Sequence, residues 1–300
     1  MASAQNRPVV GVLWMLVTGL LFVAVTAVVR HVGSSLPASE AAFLRYVFGL
    51  FFILPMLRPI LRTRLTGRHW RLFFLRGAMH TIGVSLWFFS MARLPVAEVT
   101  ALNFLAPVFV TVLAVFVLGE HLAMRRMIAV AVALIGALVI LRPGLRELGP
   151  GHGAMLIAAS LFSVSYLIAK IVSDELPAEL VVAMLSLTVA LGLFPLALAV
   201  WQVPSLRELA WMALVAAFAT TGHYTMTLAF RAAPLAVTQP VSFLQLIWAA
   251  LLGLVLFGEA LDVWVILGGA LILGSVSFIT WREWVLKRRA VTPAPMATKS

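Results

Sequence analysis

Seven stretches of this chain contain no charged residue over at least 19 positions, and this feature limits what the chain can fold into more than any other. Each stretch is close to the ~20 residues that an α-helix needs to cross a ~30 Å hydrocarbon core. The seven stretches are 8–29, 99–119, 148–169, 180–206, 209–230, 232–258 and 263–281. Because 63% of the 300 residues are apolar and only 11% are charged, they cannot cover a water-soluble surface. The sequence therefore predicts a polytopic membrane protein.

Three further spans raise the predicted number of transmembrane helices to ten, in an all-α protein. Two of them extend the shorter apolar runs 77–92 and 127–141, and the third is interrupted by Arg45. The predicted spans are 8–29, 39–57, 70–92, 96–118, 124–142, 150–171, 179–201, 208–230, 235–257 and 263–283.

The positive charges are distributed unevenly between the loops of such a chain. If the N-terminus is cytoplasmic, the cytoplasmic segments contain 15 of the 22 Lys and Arg residues and the opposite segments contain five, while Arg45 and Arg76 lie within spans. This is the positive-inside distribution, so both termini are predicted to be cytoplasmic. A basic surface for nucleic acid is the alternative explanation of the net charge of +11, and the loop bias disfavours it.

A repeat relates the two halves of the chain at an offset of 139–140 residues. Segment 95–122, PVAEVTALNFLAPVFVTVLAVFVLGEHL, corresponds to segment 234–261, PLAVTQPVSFLQLIWAALLGLVLFGEAL. Gly83 falls on Gly222 at the same offset. In both segments a glutamate follows a glycine near the end of the span, where we expect these residues to end a helix. The shared Pro and Gly-Glu are stronger evidence for the repeat than the apolar identities, which arise easily by chance.

The repeat predicts two copies of one five-helix unit, at 1–147 and 148–290, followed by a disordered cytoplasmic tail at 291–300. Because five is an odd number, the second copy must enter the membrane from the opposite face. Such inverted repeats recur in secondary transporters, in which two mirrored halves rock about a central site.

Three motifs resemble a known family. The RYVFGL segment at 45–50, the P-x-A…L-G-E-x-L block of the fourth span with its echo in the ninth, and GALVIL at 136–141 are similar to EamA-type permeases of the drug/metabolite transporter superfamily. The resemblance implies a bacterial inner-membrane carrier that exports amino acids or related metabolites by alternating access around a central cavity. The alternatives are a carrier for drug or organic-cation efflux, and a channel.

The partners expected from this interpretation are a small-molecule substrate and the lipid bilayer, with the monomer as the functional unit. We expect no enzymatic activity, because the sequence has no H-E-x-x-H or G-x-S-x-G motif and no paired carboxylates deep in a span. No cofactor or metal is expected, and the absence of cysteine excludes disulfides and thiolate ligands.

Polar side chains within the apolar spans are the candidates for substrate binding, since each is costly in hydrocarbon. His80 lies near the midplane of the third span, on one helical face with Trp87, and could sense or carry a proton. The alternative for His80 is a neutral ring that hydrogen-bonds between helices, and for Asn103 it is an interhelical hydrogen bond. The predicted substrate-binding residues are His80, Trp87, Asn103, Ser163, Tyr224, Ser242 and Gln245.

Other residues in the spans have structural explanations. Arg76 is predicted to extend its side chain to the cytoplasmic edge or to pair with an anion. Arg45 is predicted to pair with Glu40 or Glu98. Small residues at four-residue spacing predict close helix packing. They are Ala129, Ala133 and Ala137 in the fifth span, and Ala270 and Gly274 in the tenth.

The charge bias leads to a test of topology. Reporter enzymes fused at Ser300 and within the loop 62–68 should both report a cytoplasmic location, because positively charged loops are retained on that side. A fusion in the short loop after the first span, at 33–36, is the control and should report the opposite side. If either of the first two fusions lies outside, the ten-span inverted arrangement is wrong.

Overall fold

The computed structural model describes residues 8–33, 35–53, 63–106, 108–109, 112–113, 124–145, 147–173, 175–232, 241 and 243–291. Within these residues the chain forms ten helices. The helices are α1 Pro8–Val32, α2 Ala38–Ile53, α3 Gly67–Met91, α4 Val96–Asn103, α5 Met124–Leu141, α6 Pro150–Ser173, α7 Ala178–Leu198, α8 Leu206–Ala232, α9 Phe243–Phe257 and α10 Val263–Val291. The predicted all-helical architecture is confirmed for this part of the chain.

Four of these helices are long and apolar enough on their own to cross a membrane. They are Val9–Val32, Gly67–Met91, Pro150–Ala169 and Glu179–Leu198. Three shorter apolar helices are Met127–Leu141, Leu244–Phe257 and Val263–Phe278. The full count of ten spans stays a prediction, because the later parts of the second and fourth predicted spans lie mostly outside the described residues.

The first helix of each predicted half packs against the third helix of the other half. In the α3–α6 pair, a Cβ placed on Gly83 would lie 3.0 Å from Cε1 of Phe162. In the α1–α8 pair, a Cβ placed on Gly222 would lie 3.0 Å from Cε1 of Phe22. In each case the leucine before the phenylalanine is the next neighbour, at 3.5 Å. The same close contact therefore recurs at two places related by the sequence repeat.

Helices α1 and α6 run in opposite directions. Arg30, near the end of α1, donates from Nη1 to the carbonyl of Met91, at the end of α3 (3.2 Å). The carbonyl of Gly151, at the start of α6, accepts from Ser90 Oγ in the same turn of α3 (2.9 Å). The end of α1 and the start of α6 therefore lie on the same side of the bundle.

On the opposite side of the bundle, Glu175 joins the end of α6 to the start of α3. Thr66 caps α3 by accepting from the His69 amide, and His69 Nδ1 accepts from the Thr66 amide. His69 Nε2 is then left to donate to Glu175 Oε2 (2.8 Å). Arg68 donates to both oxygens of the same carboxylate. The hydrogen bonds from Arg68 and His69 hold the pKa of Glu175 below its ordinary value.

Glu259 does more than follow the end of a helix. Gly258, at φ +63°, adopts the left-handed conformation that ends α9. The Glu259 carboxylate then pairs with Arg30 Nε at 3.2 Å and accepts from the Val96 amide at 2.9 Å. One side chain thereby joins the ends of α1 and α9 to the start of α4. Glu120, its counterpart in the repeat, lies outside the described residues.

Helices α5 and α10 cross at a pair of glycines. A Cβ on Gly136 would lie 2.6 Å from the carbonyl oxygen of Gly268, and a Cβ on Gly268 would clash with the carbonyl oxygen of Gly136. The expected role of the α5 alanines is confirmed. Ala129, Ala133 and Ala137 are all buried. The expectation for α10 is wrong, because Ala270 is exposed and a Cβ on Gly274 would meet no atom within 4 Å.

The glycine crossing can be tested by a pair of alanine substitutions. Gly136→Ala places a methyl group against backbone that cannot move aside, so we expect it to lower the free energy of unfolding by about 1–3 kcal/mol. Gly274→Ala is the matched control in open space and should be neutral or stabilise the helix by about 0.5–1 kcal/mol. Thermal unfolding of the purified variants in detergent measures both. Equal midpoints would contradict the assigned crossing.

Candidate functional site

His80 lies at the contact between α3 and α6. Its Nδ1 is 3.1 Å from Oγ of Ser165, and both side chains are buried. Its ring lies 4.9 Å from that of Phe162 and 6.1 Å, edge to face, from that of Tyr46. The structure therefore gives His80 the interhelical hydrogen bond that was the alternative interpretation, and also places it beside other rings.

Two turns along α3, Trp87 occupies nearly the same face as His80. Trp87 is half-buried, and its ring meets that of Phe88 edge to face, with centroids 5.3 Å apart. Arg76, one turn before His80, is only 6% exposed, and its Nη1 donates to the Val181 carbonyl of α7 at 3.0 Å. The prediction that Arg76 reaches the surface at the membrane edge is therefore wrong, because the side chain stays buried, bound to a carbonyl in the first turn of α7.

Arg45 also differs from its predicted role. Among the described residues no ion pair joins Arg45 to either expected glutamate. Glu98 pairs with His152 (2.9 Å), and Glu40 accepts from a backbone amide in the loop between α7 and α8 (3.0 Å). The Arg45 guanidinium carbon lies 4.2 Å from the centre of the Tyr46 ring, at cation–π distance.

These contacts define an interior cluster on α2, α3 and α6. Its members are Arg45, Tyr46, Arg76, His80 and Tyr166. The two arginines are close enough to interact electrostatically with both His80 and Tyr166. The Tyr166 ring stacks on the ring of Phe162, one turn earlier on α6, and the two ring centroids are 6.1 Å apart. Aromatic and cationic groups thus meet at one place inside the bundle.

Tyr166 is 39% exposed although it lies on the inner side of α6. At ~100° per residue, Tyr166 and Ile157 point in opposite directions. Ile157 is apolar and 55% exposed, as expected of the outer face of the bundle. Phe162, on the Tyr166 side, packs against His80. The exposed surface of Tyr166 therefore lies on the side of α6 that faces α3, beside the interior cluster.

Asn103 and Gln245 lie on α4 and α9, which pack against each other. Asn103 is half-buried, and its Oδ1 is buried with no hydrogen-bond partner. Gln245 is half-buried, and its Cβ would lie 3.8 Å from a Cβ on Gly19 of α1. An unbonded amide oxygen inside a bundle is costly unless another molecule supplies the donor.

The remaining predicted site residues are placed differently. Ser163 is buried, and its Oγ donates to the Ser160 carbonyl of its own helix (2.6 Å). Tyr224 is half-exposed and points away from the fully buried Val215 of the same helix. Ser242 lies outside the described residues. The structure thus places His80 and Trp87 on the inner face of α3, and Asn103 and Gln245 on the α4–α9 pair, while Tyr224 lies on the exposed face of α8.

Sequence patterns did not single out Tyr46, and they assigned structural roles to Arg45 and Arg76. The only signal was an Arg-Tyr pair within an apolar span, and spacing on one helix cannot say which other helices it meets. Among the residues that the structure describes, no group of three or more His, Asp or Glu side chains could hold a metal ion.

Comparison with known proteins covers nearly the whole chain. The profile of the EamA-like transporter family matches twice, at residues 9–142 and 149–281. A riboflavin transporter of Vibrio cholerae is 30% identical over 95% of this chain and 97% of its own. A riboflavin transporter of Rhizobium johnstonii is 32% identical over 96% of this chain and 97% of its own.

More distant relatives extend the same pattern. An S-adenosylmethionine uptake transporter of Rickettsia prowazekii is 25% identical over 91% of this chain and 93% of its own. A solved crystal structure covers 97% of this chain and all of its own with a TM-score of 0.58 at 19% identity, which shows a common fold. With two profile matches and relatives that align from end to end, the chain is a multi-pass membrane transporter that belongs to the EamA-like transporter family.

Proposed function

We propose that this protein is a secondary transporter that carries riboflavin, or a closely related planar heteroaromatic metabolite, across a bacterial inner membrane. The observation that carries the proposal is the alignment of two riboflavin transporters over 95% and 96% of the chain, at 30% and 32% identity. S-adenosylmethionine, the substrate named for a third relative, also contains a planar heteroaromatic ring, which supports the broader substrate class.

The mechanism we propose is alternating access between two inverted five-helix halves within one monomer. Three observations support this arrangement. The family profile matches once in each half, the glycine–phenylalanine contact occurs once in each cross-half helix pair, and α1 runs opposite to α6. Two mirrored units that enclose one space can open it to each side in turn.

The proposed substrate surface combines stacking groups with hydrogen-bonding groups. Tyr166 and Trp87 offer ring faces on the inner sides of α6 and α3, and a planar ligand can stack on such faces. His80 lies beside them, and Asn103 Oδ1 is an acceptor without a protein donor. An N–H or hydroxyl group of riboflavin would satisfy that acceptor. Gln245, half-buried on α9, is the further polar group that we include.

The direction of transport and the substrate that we propose both differ from those predicted in the sequence analysis. Export of amino acids or related metabolites stays a prediction, since two of the relatives described above are named for riboflavin and the third for uptake of S-adenosylmethionine. Efflux of organic cations is disfavoured, because the interior cluster contains two arginines and no carboxylate. Uptake of an uncharged ring system fits these groups better.

Transport should be measured with the purified protein in liposomes. We expect protein-dependent, saturable entry of radiolabelled riboflavin, and accelerated exchange when the opposite compartment is preloaded with unlabelled riboflavin, because a carrier binds one substrate per cycle. Liposomes without protein are the control. If riboflavin does not move but radiolabelled leucine does, the amino-acid prediction replaces the proposal, and flux without saturation would indicate a channel.

Alanine substitutions separate binding from packing. Asn103→Ala removes no protein hydrogen bond from Oδ1, so stability should change by less than about 0.5 kcal/mol while the apparent affinity for riboflavin falls about two- to tenfold. His80→Ala leaves Ser165 unpaired and should lower the free energy of unfolding by about 1–3 kcal/mol.

Both quantities should be measured on the same purified variants, by thermal unfolding and by equilibrium dialysis of riboflavin. Unchanged affinity in Asn103→Ala would remove Asn103 from the proposed site. A loss of stability in His80→Ala without any loss of affinity would limit His80 to its interhelical role.

A further inference from the structure

Among the residues that the structure describes, Arg76 is a buried cation without a carboxylate partner. Its side chain is 6% exposed, and its Nε has no hydrogen-bond partner. One guanidinium nitrogen donates to the Val181 carbonyl, which is a neutral acceptor. A buried charge that is not paired is strongly unfavourable, so such groups occur mainly where function needs them.

A second guanidinium strengthens the positive character of the same region. Arg45 lies over the Tyr46 ring, and both arginines interact electrostatically with Tyr166. Among the described residues, neither arginine forms an ion pair with an acidic side chain. The aspartates and glutamates that do form ion pairs with arginine there lie at the two ends of the bundle, as in the Arg30–Glu259 pair.

The accessible surface of Tyr166 adjoins this region. Tyr166 is 39% exposed on the side of α6 that faces α3, and it interacts electrostatically with Arg76 and with Tyr46. A ligand bound there would contact the Tyr166 ring and would feel the positive charge of Arg45, which is half-buried, and of Arg76, which lies beneath the surface. Such a surface favours hydrogen-bond acceptors and negative charge, and it repels cations.

We propose that Arg76 and Arg45, with Tyr46 and Tyr166, form a subsite that binds the hydrogen-bond-accepting end of a planar heteroaromatic substrate and rejects cationic substrates. The inference rests on the proposed function and adds to it the orientation and charge of the substrate. In riboflavin the accepting end is the ring edge with two carbonyl groups. In flavin mononucleotide the phosphate offers the same chemistry, with more charge.

The test measures ligand binding to the purified full-length protein in detergent by equilibrium dialysis. The variants are Arg76→Gln, which removes the charge, and Arg76→Lys, which keeps it without the planar fork of donors. Arg71→Gln is the matched control, because Arg71 is an exposed arginine on the same helix. The ligands are riboflavin, flavin mononucleotide and S-adenosylmethionine.

We expect Arg76→Gln to raise the Kd for riboflavin by about tenfold or more, Arg76→Lys to give a smaller increase, and Arg71→Gln to leave it unchanged. Removal of an unpaired buried charge should also leave the ligand-free thermal midpoint equal or higher. Unchanged riboflavin binding in a folded Arg76→Gln variant would overturn the proposal. Equal losses in Arg76→Gln and Arg71→Gln would overturn it as well.

The unmodified protein supplies a second test, which stands if Arg76→Gln does not fold. It should bind riboflavin or flavin mononucleotide at least about tenfold more tightly than the cation S-adenosylmethionine. Stronger binding of flavin mononucleotide than of riboflavin would identify the phosphate as the bound group, and the reverse order would identify the ring carbonyls. Tighter binding of S-adenosylmethionine would overturn the subsite.

The two proposals fail in different ways. If riboflavin is transported but its binding does not depend on Arg76, the subsite is wrong and the transport function stands. If neither flavin binds, the riboflavin assignment is wrong. The subsite is then tested by dialysis of a wider panel of heteroaromatic compounds. Arg76-dependent binding of any uncharged or anionic compound supports the subsite, and binding of cations alone overturns it.

Discussion

Close helix contacts at glycines join the two halves of this protein, and two of them, at Gly83 and Gly222, are related by the sequence repeat. At Gly83 the absence of a side chain lets α3 approach α6 until the ring of Phe162 touches the helix backbone, and the same contact joins α1 to α8. In lipid there is little hydrophobic force to drive helices together, so close packing of this kind carries much of the association. The approach also brings His80 within hydrogen-bond distance of Ser165. The interior cluster depends on this geometry.

The sequence was informative about elements and much less about partners. Helix α6 was predicted at 150–171 and spans Pro150–Ser173, because a long charge-free run has few alternatives in a membrane. Helical periodicity also placed His80 and Trp87 on one face. It could not show that the Val181 carbonyl lies within reach of Arg76, since that depends on how α7 packs. The prediction of close packing at Gly274 was wrong for the same reason. The four-residue spacing of small residues is present in α10, but Gly274 lies in open space.

Charged side chains have different partners at the ends of the bundle and in its interior. At the two ends, acidic groups are bonded to other parts of the chain, as Glu259 is to Arg30 and Val96, and as Glu175 is to Arg68. These contacts join helix ends and loops. In the interior, by contrast, the one acceptor that the described residues offer Arg76 is a neutral carbonyl. A transporter cannot pair every polar group of its substrate site with another protein group, because the substrate needs unpaired groups to bind.

The pairing of α1 with α8 also has a consequence for synthesis. Helix α1 ends at Val32, and its partner does not begin until Leu206. At about 5–20 residues per second, α1 therefore waits roughly 10–40 s beside the ribosome before its glycine-bearing partner has been made. During that interval the Thr18 hydroxyl can donate to the Trp14 carbonyl of its own helix, while Thr225, its partner across the α1–α8 contact, has yet to be made. Assembly of the bundle is therefore a late event, because the α1–α8 pair cannot form until most of the second half has been synthesised.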